Sequence, residues 1–442
     1  MNCTIEKQQM LQKDRAIQTI PGDKSVSHRA VILSSLATTP VQIKNFLFSE
    51  DCLNTATIFK ALGVSIVHDE NTLSLLISGK GLHGLTPFNG LLDAGNSGTG
   101  IRLITGVLAG QSFQSRISGD ASIQNRPMKR ILDPLGQMGA HISGETRPGK
   151  SDTYPPLTIA PVSTLSPITY TLPIASAQVK SCILLAGLYV KGTTTVFEPI
   201  PCRDHTERIM SAFGAKITRN GTKIVLEGQS ELVAPPTVFV PSDFSSAAFF
   251  IVLGLVLPGA HFRLTGIGLN PTRSRLLDIL RAMGGNIQIT PDSLEGEPYG
   301  TIEVYESRLT NHPVDPKDVA FIIDEVPILA VAALFAEGTF QITDASELRV
   351  KESDRIRTVC QMVSAFGGQV EELEDGFILK GRPQWHSFEV DSHGDHRIAM
   401  SAMIAAIASG QTGVVHNCDC IRTSFPNFFT LLKSIGVVFS FT

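Results

Sequence analysis

Six long stretches of the chain are apolar almost without interruption, and each begins with polar or charged residues. They are DKSVSHRAVILSSLA, GNSGTGIRLITGVLAGQ, SAQVKSCILLAGLYVKGTTTV, SDFSSAAFFIVLGLVLPGAHFRL, DEVPILAVAALFAEGTFQI and DHRIAMSAMIAAIASGQTGVV. A helix that is apolar all round is buried on all sides. The closing glycine and the β-prone residues after it predict that each buried helix leads into a strand.

A second pattern alternates with these stretches and also occurs six times. In it a helical segment ends in glycine and a β-branched run follows, with intervals of 69 to 83 residues between the glycines Gly63, Gly139, Gly214, Gly284, Gly367 and Gly436. Glycine just past a helix end favours the left-handed cap. The chain is therefore predicted to repeat a unit of roughly 70 residues that reads strand, buried helix, strand, outer helix, strand.

The six units are expected to form two lobes of three. A chain of 442 residues is too long for one ordinary core, and the helices are too apolar for an open solenoid with one wet face. Two proline-containing segments, IPGDK at Pro21 and VPSDF at Pro241, mark places where the chain is expected to pass from one lobe to the other. We predict one lobe from residues 23–241 and the other from residues 1–22 together with 242–442.

Charge and cysteine usage narrow the class of protein. The net charge of −4 makes a nucleic-acid partner improbable, so any anion would bind to a local cluster of cations. Seven scattered cysteines fit a reducing compartment, and we expect a cytoplasmic protein. No run of 18 apolar residues predicts a membrane span.

Cations and hydroxyl groups lie where the buried helices begin, which is a natural place for an anion. At these helix starts the sequence places Lys24, Ser25, Arg29, Gly98, Ser176, Ala177, Gln178 and Arg397, and nearby loops add Arg126, Arg203, Lys351 and Arg355. The alternative for each charge is a solvated surface position. Recurrence at equivalent points of repeated units favours anion binding.

Two acids lie among these cations. Asp324 opens the stretch DEVPILAVAAL, and Glu352 lies within RVKESDR. Asp324 could simply be a helix N-cap, and Glu352 could form an ordinary surface ion pair.

Two short motifs match other chemistries but lack the context those chemistries need. GETRPGKS, residues 144–151, has P-loop spacing, yet Pro155 and Pro156 follow and prevent the helix that a P-loop requires, so we predict a surface turn entering a strand. DSHGDHR holds His393, Asp395 and His396 close together, but no further ligand cluster accompanies them, and we expect no metal site.

Eight motifs together resemble the 3-phosphoshikimate 1-carboxyvinyltransferase (EPSP synthase) family. They are PGDKSVSHRA, DAGNSGTGIRL, GDASIQNRPMKRI, SAQVKSCILLAGL, CRDHTERI, DEVPILAVAALFAEG, ELRVKESDRI and GDHRIAMS, in the family's order from Pro21 to about Pro426. The SAQVKS form resembles the second class of the family. The resemblance implies an α/β fold of two lobes, each with three βαβαββ units around buried helices, and an active site in the cleft between the lobes.

The implied reaction transfers the enolpyruvyl group of phosphoenolpyruvate to the 5-hydroxyl of shikimate 3-phosphate and releases phosphate, a step toward chorismate. No cofactor is expected, and the protein is expected to be a monomer. The resemblance assigns shikimate 3-phosphate to Lys24, Ser25, Arg29, Ser176, Ala177, Gln178, Arg203, Asp324 and Lys351, and phosphoenolpyruvate to Lys24, Gly98, Arg126, Gln178, Arg355 and Arg397. It implies that Asp324 is the base and that Glu352 delivers the proton, with Lys24 as a competitor for that second role.

Two other functions stay open at this stage. One is the related transferase acting on UDP-N-acetylglucosamine, which depends on a reactive loop cysteine; here Cys182 lies in an apolar helix and Cys202 precedes RDHTER. The other is a non-catalytic anion-binding scaffold, which would have no use for the two acids.

The sequence departs from some relatives at two positions. Thr423 stands before SFP where some relatives have lysine, and Gly98 stands where the most glyphosate-tolerant relatives have alanine. Without the methyl group of alanine, space is expected for a longer inhibitor beside the phosphate site.

Overall fold

A computed structural model describes residues 1–8, 11–17, 19–294 and 296–442. Contacts divide the chain into two compact units, Met1–Pro21 with Pro241–Thr442 (unit 1) and Gly22–Val240 (unit 2). Both boundaries lie one residue before the positions expected from the sequence. Within the described ranges no helix is long and apolar enough to cross a membrane.

The described residues form fourteen α-helices. In chain order they are α1 Lys24–Leu36, α2 Glu50–Ala61, α3 Gly98–Ala109, α4 Ala121–Gln124, α5 Lys129–Gln137, α6 Ala177–Gly187, α7 His205–Ala212, α8 Phe244–Val256, α9 Arg275–Ala282, α10 Pro316–Ile322, α11 Val326–Phe335, α12 Arg355–Ala365, α13 His396–Ser409 and α14 Phe428–Ser434. Two 3₁₀ helices, Ser346–Val350 and Cys418–Thr423, lie in unit 1.

The strands are short and number twenty-three in the described part of the chain. They are β1 Cys3–Ile5, β2 Asp14–Ile17, β3 Pro40–Lys44, β4 Ser65–Asp69, β5 Ser74–Ser78, β6 Leu91–Asp93, β7 Ser115–Ser118, β8 Ile142–Thr146, β9 Thr153–Ile159, β10 Thr169–Thr171, β11 Thr193–Phe197, β12 Ile217–Asn220, β13 Lys223–Glu227, β14 Thr237–Phe239, β15 His261–Gly268, β16 Asn286–Ser293, β17 Tyr299–Tyr305, β18 Thr339–Ile342, β19 Gln369–Glu372, β20 Phe377–Lys380, β21 Phe388–Asp391, β22 Gly413–His416 and β23 Phe439–Phe441.

Each unit contains three sheets, and nearly all share one topology. In unit 2 the strand orders are β14-β3-β5-β4, β6-β7-β9-β8 and β10-β11-β13-β12; in unit 1 they are β2-β15-β17-β16, β21-β22-β1-β23 and the three-stranded β18-β20-β19. In the four-stranded sheets the first pair is parallel and the other two pairs are antiparallel. A parallel bridge between Thr310 and Glu337 stands beside the three-stranded sheet. The predicted sixfold repeat is thus confirmed, with the additional strand of a βαβαββ unit.

The two repeated sequence patterns take the structures predicted for them. The six apolar stretches form α1, α3 and α6 in unit 2 and α8, α11 and α13 in unit 1, all buried along most of their length. The six capping glycines have φ between 81° and 99°. At Gly63, for example, the Val64 amide donates to the Phe59 carbonyl and the Gly63 amide donates to the Lys60 carbonyl, which is a Schellman motif.

Each unit has a hydrophobic core of its own, built around its three buried helices. In unit 2, α3 and α6 approach so closely that a Cβ atom at Gly106 would lie 2.4 Å from the Cys182 carbonyl oxygen. Only glycine permits this spacing, which sets the N-terminal ends of α3 and α6 side by side.

The P-loop match is a β-hairpin, as its proline-rich continuation indicates. Gly144 lies in β8, and β9 begins at Thr153 and runs antiparallel to β8. No helix follows the motif, so its backbone amides do not form a phosphate cradle.

Candidate active site

Most of the residues predicted at helix starts lie there, and Arg355, which was expected in a loop, also begins a helix. Lys24, Gly98, Ala177 and Arg355 are the first residues of α1, α3, α6 and α12. One part of the anion-site argument needs correction. Asp23 accepts the Val26 amide of α1 and Asp395 accepts the Arg397 amide of α13, so carboxylates of the chain itself cap these two helices.

In unit 2, Arg29 joins three helices. Its Nη1 donates to the Ser25 carbonyl at 2.9 Å, its Nε donates to Thr206 Oγ1 at 2.6 Å, and its Nη2 donates to Ser181 Oγ at 2.9 Å. Ser181 in turn donates to the Ala177 carbonyl at 2.6 Å. These bonds link the first turns of α1, α6 and α7, where Ser25, Ser176, Ala177 and Arg203 lie.

Lys24 is ion-paired within unit 2. Its Nζ lies 2.5 Å from Asp51 Oδ2, with the lysine side chain 35% exposed and the aspartate 10% exposed. Buried His28 lies nearby, with ring nitrogens 2.8 Å from Thr55 Oγ1 and 3.2 Å from Ser97 Oγ. Burial, aided by the charge of Lys24, lowers the pKa of His28 to about 3, so its ring is neutral and acts as a hydrogen-bonded spacer.

A buried arginine that the sequence did not single out organises the next group. Arg102 Nη1 donates to Gln178 Oε1 at 2.8 Å and to the Gly98 carbonyl at 3.2 Å. Gln178 Nε2 donates to Thr99 Oγ1 at 3.1 Å, so the glutamine is fixed at both ends of its amide. A Cβ atom on Gly98 would lie 2.8 Å from Arg126 Nη1 and 3.0 Å from Arg102 Nη1. Gly98, Arg126 and Gln178 are therefore neighbours, and the absence of a side chain at Gly98 lets the two guanidinium groups lie against its backbone.

A buried ion-pair network lies behind Arg203. Lys180, fully buried in α6, places Nζ 2.8 Å from Glu198 Oε2, 2.6 Å from Glu207 Oε1 and 3.4 Å from the Cys202 carbonyl. Burial alone would lower the pKa of Lys180, but Glu207 and Glu198 raise it, so the lysine is charged. The network fixes the segment that ends in Cys202 and Arg203.

In unit 1, a second buried arginine collects the acids. Arg355 is 1% exposed; its Nη1 lies 3.2 Å from Asp324 Oδ1, its Nη2 lies 2.5 Å from Glu352 Oε2 and its Nε lies 2.7 Å from Asp395 Oδ2. Arg397 donates to the Asp324 backbone carbonyl at 3.1 Å. Asp324, Glu352, Arg355 and Arg397 thus form one cluster, which joins three of the loops that the sequence singled out.

Asp324 is not a helix N-cap, which was the alternative that the sequence allowed. The helix after it begins at Val326, and its N-cap position is Glu325, which makes no side-chain capping bond. The Asp324 carboxylate instead lies 3.2 Å from Arg355 and 3.8 Å from buried Arg273. It is held as an acceptor between two guanidinium groups.

Glu352 differs from an ordinary surface ion pair because its partner is buried. Its side chain is 41% exposed, whereas that of Arg355 is 1% exposed. Partial loss of water around the carboxylate would raise the pKa of Glu352, but the charge of Arg355 outweighs this and lowers it. The neighbouring His396 is neutral, because burial and the charge of Arg397 lower its pKa to about 3.

Lys351 stands apart from this cluster in the structure. Its Nζ pairs with Glu347 Oε1 at 2.7 Å, one helical turn back along the 3₁₀ segment. Of the predicted unit 1 site residues, it alone shows no contact with Arg355 or Asp324 among the described interactions.

Several residues that surround the predicted site residues were not singled out from the sequence. One feature of the sequence would have identified two of them. Arg102 and Lys180 are ionisable residues inside stretches predicted to be buried on all sides, and such groups are rarely buried without a partner. Arg273 gave no such signal, because it lies in the loop before α9.

The residues described contain no group of three or more histidine, cysteine or acidic side chains arranged for a metal ion. Asp395, the central member of the DSHGDHR motif, is engaged by Arg355. Cys182 and Cys202 also have no sign of activation, since burial raises the pKa of each thiol to about 12.

Comparisons with known proteins identify what the chain is similar to. The family profile described as EPSP synthase (3-phosphoshikimate 1-carboxyvinyltransferase) matches residues 8–432. A 3-phosphoshikimate 1-carboxyvinyltransferase from Pelotomaculum thermopropionicum is 45% identical over 424 residues, covering 96% of this chain and 97% of its own length. One from Methylococcus capsulatus is 44% identical over 419 residues, covering 95% and 94%.

Solved structures agree with these sequence relatives. EPSP synthase from Acinetobacter baumannii superposes with a TM-score of 0.91 at 40% identity over 99% of both chains. The enolpyruvyl transferase NikO from Streptomyces tendae superposes with a TM-score of 0.80 at 17% identity, covering 100% of this chain and 98% of its own, which is a likeness of fold alone.

Proposed function

This chain belongs to the EPSP synthase family, the enolpyruvyl transferases that join phosphoenolpyruvate to the 5-hydroxyl of shikimate 3-phosphate, and from this premise we propose which of its side chains perform that reaction. The observation that carries the proposal is the cluster around Arg355, where two carboxylates, Asp324 and Glu352, contact one buried guanidinium group. A scaffold that only bound anions would gain nothing from acids in this position.

Shikimate 3-phosphate is recognised by the helix starts of unit 2. We assign its carboxylate to Ser25 and Arg29 and its phosphate to Ser176, the Ala177 amide and Arg203. The hydrogen bonds of Arg29 to Ser25, Ser181 and Thr206 support this assignment, because they hold the segments that supply these groups in one place. Arginine suits the task because its guanidinium group makes paired bonds to carboxylate and phosphate.

Phosphoenolpyruvate is bound by Arg126, Arg355 and Arg397. Gly98 leaves room for the phosphate beside Arg126, and Gln178, fixed by Arg102 and Thr99, lies against both substrates. The two substrates together bring roughly five to six negative charges, so a set of several arginines matches the negative charge that must be bound.

Two lysines complete the binding set. Lys24 contacts both substrates, and Lys351 reaches the hydroxyl groups of the shikimate ring. Each now pairs with a carboxylate, Asp51 and Glu347 respectively, and both lysine side chains are partly exposed. A substrate anion or hydroxyl group can therefore reach these lysines without disrupting a hydrophobic core.

The reaction moves two protons. As the 5-hydroxyl oxygen bonds to C2 of phosphoenolpyruvate, Asp324 accepts the hydroxyl proton and Glu352 delivers a proton to the methylene carbon. Phosphate then leaves C2 while the Glu352 carboxylate takes back a proton from the new methyl group, which restores the double bond and regenerates Glu352. The proton that Asp324 accepted from the 5-hydroxyl group passes to phosphate or solvent, so the products contain the same atoms as the substrates.

Glu352 must be protonated to act as the donor, although Arg355 lowers its pKa in the substrate-free protein. A bound phosphoenolpyruvate anion engages Arg355 and Arg397, which offsets the charge that stabilises the carboxylate. Substrate binding therefore raises the pKa of Glu352 toward the range that an acid needs. Lys24 is the alternative donor.

The decisive experiment measures phosphate release from phosphoenolpyruvate with shikimate 3-phosphate, with UDP-N-acetylglucosamine, and with neither acceptor. Release only with shikimate 3-phosphate is expected. Phosphate release only with the UDP-sugar would indicate the related UDP-N-acetylglucosamine transferase. No release with either acceptor would indicate a non-catalytic anion-binding protein. The inert state of Cys182 and Cys202 already argues against the UDP-sugar reaction.

We also propose that the protein acts as a monomer in the cytoplasm. Its seven cysteines are free thiols, five of them buried, as is usual in a reducing compartment. Light scattering at assay concentrations would detect a dimer and so contradict the monomer.

A further inference from the structure

We propose that Arg273 is a positioning residue for the reaction, holding the Asp324 carboxylate in its ionised, receiving orientation while Arg355 is engaged by substrate. The inference rests on the proposed role of Asp324 as the base. No substrate contact is assigned to Arg273 by the family resemblance, and the sequence around it, NPTRSR, gave no reason to select it.

Arg273 and Arg355 both lie close to the Asp324 carboxylate. Arg273 Nη1 lies 3.8 Å from Asp324 Oδ2, whereas Arg355 Nη1 lies 3.2 Å from Asp324 Oδ1. The two guanidinium groups thus face different oxygens of one carboxylate. Arg355 donates a hydrogen bond to one oxygen, and Arg273, at ion-pair rather than hydrogen-bond distance, keeps a positive charge beside the other.

The guanidinium group of Arg273 is held in place by residues at the start of α8. Its Nη2 donates to Ser245 Oγ at 2.5 Å and lies 3.4 Å from Asp243 Oδ1. Ser245 in turn donates to the fully buried Glu325 carboxylate. Asp243 caps α8 through the Ser245 amide, so these anchoring groups belong to the first turn of a buried helix.

Arg273 and Arg355 have different duties. Arg355 divides its bonds among Asp324, Glu352 and Asp395, and it is also assigned to phosphoenolpyruvate. When the substrate draws on Arg355, its hold on Asp324 weakens. Arg273, whose side chain is 5% exposed, remains beside the carboxylate. It keeps Asp324 ionised and aimed at the moment the hydroxyl proton must be accepted.

The other charged groups around Asp324 do not supply this function. Arg397 bonds to its backbone carbonyl rather than to its side chain. Glu352 and Glu325 are acids, so each would favour the protonated form of Asp324. Among the described charges, Arg273 is the cation that contacts the Asp324 side chain without an assigned substrate.

A double-mutant cycle tests the proposal. Arg273→Met is expected to lower kcat at least tenfold in the wild-type background but less than threefold in an Asp324→Asn background, because without a carboxylate there is nothing for Arg273 to hold. Arg273→Lys retains the charge and should recover part of the rate. The acidic limb of the pH–rate profile should move to higher pH in Arg273→Met, since the carboxylate loses a neighbouring cation.

Arg275→Met is the matched control. Arg275 lies two residues further on, is 42% exposed and pairs with Asp318 and Asp278, so its loss should leave kcat unchanged. Circular dichroism and urea midpoints establish that each variant is folded, and Arg273→Lys keeps the test usable if Arg273→Met is not.

Failures of the two proposals are distinguishable. A normal kcat in Asp324→Asn would remove Asp324 from its role as base. A slow Asp324→Asn variant, combined with an equal effect of Arg273→Met in both backgrounds and an unmoved pH profile, would make Arg273 merely structural and would overturn only this inference.

Discussion

Replacing Asp324 by asparagine removes a charge and a proton acceptor while preserving the shape of the side chain. The asparagine Oδ1 can still accept the bond from Arg355 Nη1, which spans 3.2 Å in the native protein. Arg355 also keeps Glu352 and Asp395. The change should therefore cost only about 1 kcal/mol of the free energy of unfolding, as expected for a weakened hydrogen bond.

The effect on catalysis should be much larger. A positioned general base usually contributes 10²- to 10⁴-fold, so kcat is expected to fall by about 10²-fold or more, equivalent to about 2.7 kcal/mol in activation free energy. Binding of both substrates should survive, because Asp324 lies 15% exposed among cations that remain in place. Asp324→Ala should lose at least as much turnover.

Phosphate release at saturating concentrations of both substrates measures kcat, and calorimetric titration measures substrate binding. Asp318→Asn provides a matched control, because Asp318 is a similarly buried carboxylate in unit 1, 16% exposed and bonded to Arg275 Nε at 2.8 Å. It should retain native turnover. A kcat for Asp324→Asn within threefold of the native value would refute the assignment of Asp324 as the base.

Three further predictions concern other parts of the site. Gly98→Ala should raise KM for phosphoenolpyruvate several-fold with a smaller change in kcat, because its new Cβ atom would lie 2.8 Å from Arg126 Nη1 and the guanidinium group must move; unchanged KM would mean that this space is not used. Glu352→Gln should lower kcat about 10²-fold. Because the pKa of Glu352 is lowered in the folded protein, its ionised carboxylate stabilises the fold above the unfolded pKa of about 4.3, and this contribution is lost as the pH falls below that value. The urea midpoints of the variant and the native protein should therefore converge at acidic pH. Lys180→Met should cost about 3–5 kcal/mol of the free energy of unfolding, because Glu207, 8% exposed, would be left with Arg219 only at 3.8 Å, whereas Glu198 would keep its closer pair with Arg219; a loss below about 1 kcal/mol by urea titration would contradict that account.

The repeat pattern explains why so much of the fold was predictable. An α-helix buried on all sides needs an apolar sequence all round, and the glycines at Gly63 and its five counterparts need a left-handed backbone; both demands are local and therefore visible in the sequence. The GETRPGKS motif could be rejected on equally local grounds, because proline forbids the helix that a P-loop needs. The family motifs similarly supplied the candidate binding residues from the sequence alone.

What the sequence could not determine is which charges meet. Arg355 joins Asp324, Glu352 and Asp395 only because three loops of unit 1 end at one place, and Arg102 reaches Gln178 only because Gly106 lets α3 approach α6 closely. Apart from Glu352 and Arg355, which are three residues apart, these partners are separated by tens of residues and have no periodic signal. The sequence by itself determined the elements, their repetition and the candidate residues; the tertiary structure decided the ionic partners of those residues, because electrostatic interactions depend on distance and burial rather than on order along the chain.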